Sequence, residues 1–328
     1  MNQTTKKQHY IWRNYLASWT KNNSNKGTIS CLRDNRIFAV SLMNIAHENY
    51  FYGIKELSTL ERQIIHEMVI NKTTGVQREA NESWLNLYCA PFDLADEVVR
   101  FQNSIGLPIV RTQIESSKEF KDWNIEYIEK IHCQIESMGI QYLQLIKKND
   151  LSFWNTEKGR NEFSFFLCNQ YFRTKSMRDS VELVFTKAAS TMECFKDICP
   201  ENMWLPLSLI FASNVGAHIA HNFSIALLQT DSNYFIVGDQ PVINTYATYD
   251  MHNPPVDVEF FYPITPYTAV LLTTDRKYAS GKILKIDTHD VEKYNMLEVR
   301  ASKEQVFAKD STQLTYFQLY SFDNGTKD

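Results

Sequence analysis

Glycine is scarce in this chain, and that scarcity rules out more than any motif rules in. Ten glycines occur in 328 residues, and no two are separated by a single residue. A Gly-x-Gly-x-x-Gly turn therefore cannot occur, and no Gly-x-x-x-x-Gly-Lys-Ser/Thr loop is present. Both loops need glycine so that backbone N–H groups can close on a phosphate. The sequence thus argues against a Rossmann or P-loop nucleotide site. Gly-x-Ser-x-Gly and His-Glu-x-x-His are absent as well, so neither a nucleophile elbow nor a helical zinc-protease site is encoded.

What remains is a largely helical pattern. Ser58-Thr59-Leu60-Glu61 reads as a capping box, with Ile64, Ile65, Met68 and Val69 following at helical spacing. Further helices are expected over 79–103, 118–148 and 156–188. In the second of these Ile125, Ile128, Ile131 and Ile135 trace one stripe. Residues 8–19 read as a short aromatic helix or an extended segment. The alternation from Thr28 to Val40 around Asp34-Asn35 predicts a hairpin.

Met203 to Gln229 carries no charged residue. Its length would suit a membrane span. Pro206, Asn214, His218, His221 and Asn222 interrupt it, and basic flanks are missing, so a buried core helix is expected. After Asn233 the pattern changes to strands at 234–237, 258–262 and 269–274, with turns at Asp239-Gln240-Pro241 and Pro263-Ile264-Thr265-Pro266. A helix over 290–301 and a strand over 305–308 close the pattern.

The fold class is α+β: a mainly helical body with a small, mostly antiparallel β region near the C-terminus. One large domain over 1–328 suits the length. Lys147-Lys148-Asn149-Asp150 is the best break. It would divide a helical part with a hairpin, 1–150, from central helices plus the β region, 151–328. Hydrophobic residues make up 44% of the chain, enough for a sizeable core, and the formal net charge of -4 argues against bulk attraction to nucleic acid or lipid. Six scattered cysteines without a Cys-x-x-Cys pair, and a polar N-terminus, read as a reduced cytoplasmic protein with no membrane partner.

Three distant motifs embed polar side chains in aromatic surroundings. They are His9-Tyr10-Ile11-Trp12-Arg13-Asn14-Tyr15-Leu16, Gln170-Tyr171-Phe172-Arg173 and Gly238-Asp239-Gln240-Pro241. Together they resemble a widespread bacterial family known as domain of unknown function 4238. That family opens His-Tyr-Val-Pro-x-x-Tyr-Leu; His9, Tyr10, Tyr15 and Leu16 match, and Trp12 replaces the proline. Its central Gln-x-x-Arg is matched by Gln170 and Arg173. Its Ser-Asp-x-Pro turn is matched by Asp239 and Pro241, with Gly238 for the serine. Pro263 and Pro266 fit its Pro-Leu-Ser-Pro, and Asn295 and Val306-Phe307-Ala308 resemble its tail. The resemblance spans nearly the whole chain and implies no established reaction.

The chemistry must therefore come from the residues. His9 titrates near neutrality and suits general acid–base work; the ordinary alternative is a histidine that satisfies buried backbone. Arg173 and Gln170 share a helix face. Arg173 could grip a phosphate, or pair internally with Asp239. Asp239 at a strand end could orient His9 or hold a divalent metal, Mg²⁺ or Mn²⁺; aspartate also simply favours turns. His218 and His221 at helical spacing, and Asp275-Arg276-Lys277 with Asp257 and Glu259, read more readily as core histidines and a solvated hairpin end. Cys194 and Cys199 lack zinc spacing.

The leading expectation is a hydrolase acting on phosphodiesters of nucleic acid or a nucleotide. His9, Gln170, Arg173 and Asp239 would be catalytic. Tyr10, Tyr15, Lys175 and Arg178 would bind substrate, the tyrosines by stacking on a base and the cations by meeting phosphate. A role in anti-phage defence comes only from the bacterial setting of the resembled family. The competing expectation is a non-catalytic module, binding a ligand, a partner protein or a second copy, in which the same motifs form a structural network.

Overall fold

The computed structural model describes residues 6–231, 234–248, 255–278 and 280–318. The expected strand start at 234 therefore lies at the edge of the described residues. An N-terminal strand β1 (Lys7–His9) leads into a short helix α1 (Arg13–Leu16). The hairpin follows as β2 (Thr28–Arg33) and β3 (Arg36–Ser41). Asp34 and Asn35 both hold positive φ, 50° and 57°, the conformation of a two-residue hairpin turn whose twist matches its strands. Strand β4 (His47–Asn49) then returns to pair antiparallel with β1, placing His9 opposite His47.

The helical body runs from α2 (Thr59–Met68) through α3 (Gly75–Ser104), α4 (Arg111–Ser116), α5 (Lys118–Ile146), α6 (Glu157–Phe172), α7 (Lys175–Thr191) and α8 (Pro200–Asn222). α8 is packed by α3, α6 and α7, and α5 lies on α6. Close approach between α5 and α6 requires Gly139, since a Cβ there would stand 2.3 Å from the Phe166 ring. The Ser58–Glu61 capping box is present. Glu61 does a second job: Oε1 also accepts from Cys199 N at 2.8 Å and Asn202 Nδ2 at 3.2 Å, so one buried carboxylate ties the start of α2 to the start of α8.

Two expectations are corrected here. The helix expected over 156–188 is two helices. Arg173 leaves helical geometry and Thr174 is extended, with its hydroxyl accepting from Met177 N as the cap of α7. Apolar periodicity runs through the break and hides it; the capping threonine marks it. The uncharged stretch from Met203 is also two elements. α8 ends at Asn222, and strand β5 (Ser224–Gln229) completes the run. α8 is long and apolar enough to cross a membrane, but it lies mostly inside the fold.

The remaining strands are β6 (Val237–Gly238), β7 (Ile243–Asn244), β8 (Phe260–Thr265), β9 (Thr268–Thr273), β10 (Lys282–Lys285) and β11 (Val306–Ala308), with helices α9 (Thr288–Ala301) and α10 (Ser311–Phe317). Five of the strands form one sheet in the order β10-β5-β9-β8-β7, antiparallel except for the β10–β5 pair. The other sheet, β3-β2-β11-β6, joins the N-terminal hairpin to the C-terminal strand, Cys31 opposite Phe307. The chain is thus α+β with a helical body, but its β structure is not confined to the C-terminal part. A hairpin signals its own pairing in sequence; its third strand, far along the chain, does not.

Replacing Glu61 with alanine removes acceptors from three N–H groups at two helix starts. A loss of about 2–4 kcal/mol is expected, above the ~1 kcal/mol of a single lost cap. Denaturant unfolding measures it, and a loss no greater than that of Ser58→Ala would refute the shared role.

Candidate active site

The residues after β1 are tied to the end of α6 by one side chain. Arg173 is buried. Its Nη2 donates to His9 O at 3.1 Å and its Nε to Tyr10 O at 3.4 Å. Its Nη1 lies 2.7 Å from Glu136 Oε1 on α5, an ion pair between two buried groups. The guanidinium also sits over the Tyr52 ring. Arg173 therefore pairs with Glu136, and the alternative pairing with Asp239 is not what the fold makes.

Asp239 is committed elsewhere. Oδ1 accepts from Lys303 N at 2.7 Å, and Oδ2 from Glu304 N at 2.7 Å and Gln305 N at 3.0 Å. These bonds clasp the turn before β11, as the preference of aspartate for turns suggests. Burial pushes its carboxyl up to about 6, against the pull of the three N–H donors. Gly238 beside it has no room for a side chain, because a Cβ would stand 1.8 Å from Ser302 Oγ. The glycine in place of the family's serine thus goes with Ser302 filling that space. Trp12, in place of the family's proline, has φ of -65°, the angle a proline ring would impose.

Tyr10 and Tyr15 are core residues rather than base-stacking platforms. Tyr10 OH accepts from Gln305 Nε2 at 3.1 Å, and its ring packs on Phe51. Tyr15 OH donates to Pro263 O at 2.6 Å while its ring stacks on Tyr262. Lys175 and Arg178 are neutralised within the fold. Lys175 reaches Glu304 at 2.6 Å, and Arg178 reaches Glu48 at 2.9 Å with its guanidinium over Phe51. Their charge is thus spent on carboxylates that a polyanion would have to displace. Gln170 is buried, and its Nε2 has no hydrogen-bond partner among the described residues.

What the fold does assemble is a polar cleft of about 210 Å³. His9 and Arg13 line it from the N-terminal segment, Glu129, His132 and Glu136 from α5, and Arg173 from the end of α6. His9 and Arg173 were anticipated; Arg13, Glu129, His132 and Glu136 were not. Their signal is a His and two acids at helical spacing among Ile128 and Ile135, on a face that hydrophobic pattern treats as core.

The electrostatics of the cleft keep its histidines neutral. Burial, then Arg13 and His47, lower His9 to about 4. Its Nε2 lies 3.3 Å from Leu42 O, so Nε2 carries the hydrogen and Nδ1 is the free acceptor. Burial and then Arg173 hold His132 well below the usual histidine range. Burial raises the Glu136 carboxyl, and Arg173 offsets part of that rise. Arg13 pairs with no carboxylate among the described residues; its polar contact is Met43 Sδ.

The other sites considered from sequence do not form. His218 and His221 are exposed rather than core residues. His221 Nδ1 bonds to Ala217 O at 2.9 Å, and His218 Nδ1 lies 3.1 Å from Asn222 Nδ2. Glu259 is taken up by Thr245 and Thr273 hydroxyls, at 2.8 and 2.6 Å, and Lys277 pairs with Asp275 in the exposed segment after β9, which is not the hairpin expected, since β9 and β10 each pair with β5.

A family model described as a protein of unknown function (DUF4238) matches residues 7–312. No curated protein and no solved structure matches the chain significantly.

Two predictions follow from this geometry. Arg173→Met and Glu136→Gln should each destabilise the fold by about 3–5 kcal/mol, and the double variant by clearly less than their sum; additive losses in denaturant unfolding would show that the pair is not coupled. In the free protein the His9 ring should titrate by NMR near 4 rather than 6.5. Because its folded value is depressed, the unfolded chain takes up the proton first. The stability His9 contributes is therefore present above pH 6.5 and is lost as pH falls toward 4. A midpoint at or above 6.5 would overturn the burial argument.

Proposed function

The chain belongs to the DUF4238 family, whose description names no activity, and we propose that its polar cleft is a hydrolase site for phosphodiesters of nucleotides or nucleic acid. The observation that supports this reading is the meeting of His9, Arg13 and the Glu136–Arg173 pair at one cleft. Arg13, which makes no ion pair among the described residues and acts on Glu136 only at longer range, offers its guanidinium to a phosphate. His9 Nδ1 takes the proton of an attacking water. As the new P–O bond forms and the ester P–O bond breaks, the imidazolium returns that proton to the departing alcohol. An anion bound beside His9 raises its pKa from the depressed value of the free protein, because it favours the charged ring.

Arg173 acts in this scheme as a positioning residue. Through the carbonyls of His9 and Tyr10 it fixes the backbone that carries the base. Asp239 holds the turn before β11 and lies outside the chemistry. Among the described residues no three His, Cys or carboxylate groups of this cleft lie close enough to share a metal ion, so no step is routed through one. In the setting implied by the resembled family, such a hydrolase would serve as a defence effector against phage nucleic acid.

A second reading is favoured by one observation: Arg173, Asp239, Tyr10 and Tyr15 are all spent on internal bonds. In that reading the motifs are structural and the cleft binds its ligand without converting it.

Purified protein would be incubated with single- and double-stranded RNA and DNA, and with nucleotides, in Mg²⁺, in Mn²⁺ and in EDTA. Cleavage is expected, reduced roughly 100-fold or more in His9→Asn, the scale of a lost acid–base group. Arg13→Met should weaken substrate binding. Binding lost in Arg13→Met with no cleavage by wild type supports the second reading. Cleavage unaffected in both variants overturns the first.

A further inference from the structure

The cleft is lined by both donors and acceptors, and which of them lack partners carries information about its ligand. Donors come from the N-terminal segment. Arg13 has no carboxylate partner among the described residues. Asn25 Nδ2 donates to Asn14 Oδ1 at 2.9 Å, which orients both amides beside it. From α5 comes an acceptor without a donor among the described residues. His132 is buried, its Nδ1 lies 3.1 Å from Asn169 Oδ1, and its Nε2 has no partner. An amide oxygen can only accept, so Nδ1 carries the hydrogen and Nε2 presents a bare lone pair. Glu129 beside it already has the Gln8 side chain as a hydrogen-bond donor, so His132 Nε2 is the acceptor left open.

Buried polar atoms without partners are costly, and native proteins retain few of them. Here His132 Nε2 lines the cleft as such an acceptor, so a ligand that brings a donor to it is rewarded, and one that lacks the donor is penalised. The Tyr52 ring packs on His132 at 4.5 Å between centroids and fixes its plane. The ring is held neutral by burial and by Arg173, so Nε2 remains an acceptor throughout the physiological range.

We infer that the cleft is specific for ribose-bearing phosphoesters: the phosphate meets Arg13, and a sugar hydroxyl donates to His132 Nε2. This rests on the phosphodiester reading of the same site and adds the sugar to it. The 2′-hydroxyl is the group that separates ribo- from deoxyribonucleotides, and a bare imidazole nitrogen is suited to read it. His132 is then a specificity-determining residue distinct from the base, His9.

The test compares binding of uridine 5′-monophosphate, its 2′-deoxy counterpart and inorganic phosphate by calorimetry. The wild type is expected to bind the ribonucleotide at least 10-fold more tightly than the deoxyribonucleotide. His132→Phe should abolish that preference while leaving phosphate binding unchanged, which also reports that the variant is folded. His132→Gln, whose side-chain oxygen reaches about as far as Nε2, should restore part of it. The His132 Nε2 nitrogen resonance should shift with the ribonucleotide and not with the deoxyribonucleotide. Equal affinity for the two nucleotides, with phosphate still bound through Arg13, overturns this inference and leaves the phosphodiester reading standing. Loss of all three ligands, phosphate included, overturns both.

Discussion

A buried guanidinium cannot stay unpaired, and this fold is arranged around satisfying one. Arg173 stands at the end of α6, where the helix dipole favours a cation. From there it answers a carboxylate on α5 and two backbone carbonyls of the N-terminal segment. Three parts of the chain that are remote in sequence must therefore converge on one charge. The same requirement places His9 beside α5 and opens the cleft between them. Geometry that reads as a tether and geometry that reads as a site are here one arrangement.

Asp239 plays the corresponding part in the neighbouring turn. Its carboxylate clasps three successive backbone N–H groups and sets the register of β11 against β2 and β6. Gln240, next in the chain, bonds with the Thr174 hydroxyl and donates to Tyr171 O at 3.1 Å. The Asp-x-Pro turn is thus held against the end of α6. The three motifs do come together, as a chain of backbone clasps more than as a ring of catalytic side chains.

Local signals in the sequence were legible because their physics is local. Asp34-Asn35 announces the hairpin, and Ser58 with Glu61 announces α2, since each needs only its own neighbours. The break at Thr174 was concealed by apolar residues that continue at helical spacing on both sides. The partner of Arg173 could not be read, because Glu136 and Asp239 are both remote from it along the chain and only tertiary packing chooses. His9 stood out through its aromatic setting. His132 and Glu136 did not, because they occupy positions on α5 that a hydrophobic pattern assigns to the core. Polar residues on such a stripe, more than exposed basic clusters such as Lys175 and Arg178, were the better guide to the cleft.

The sheet that joins β2 to β11 has a bearing on when the molecule becomes competent. Tyr10 and Gln305 are 295 positions apart, and their side chains are bonded. During synthesis β2 emerges long before β11, its partner strand far along the chain. Loop closure over such a span is slow compared with helix formation. The helical body can therefore assemble while the edge of β2 still waits, and the backbone around His9 gains its full support only when β11 arrives. The synthesis of β11 would then act as a timer on the cleft.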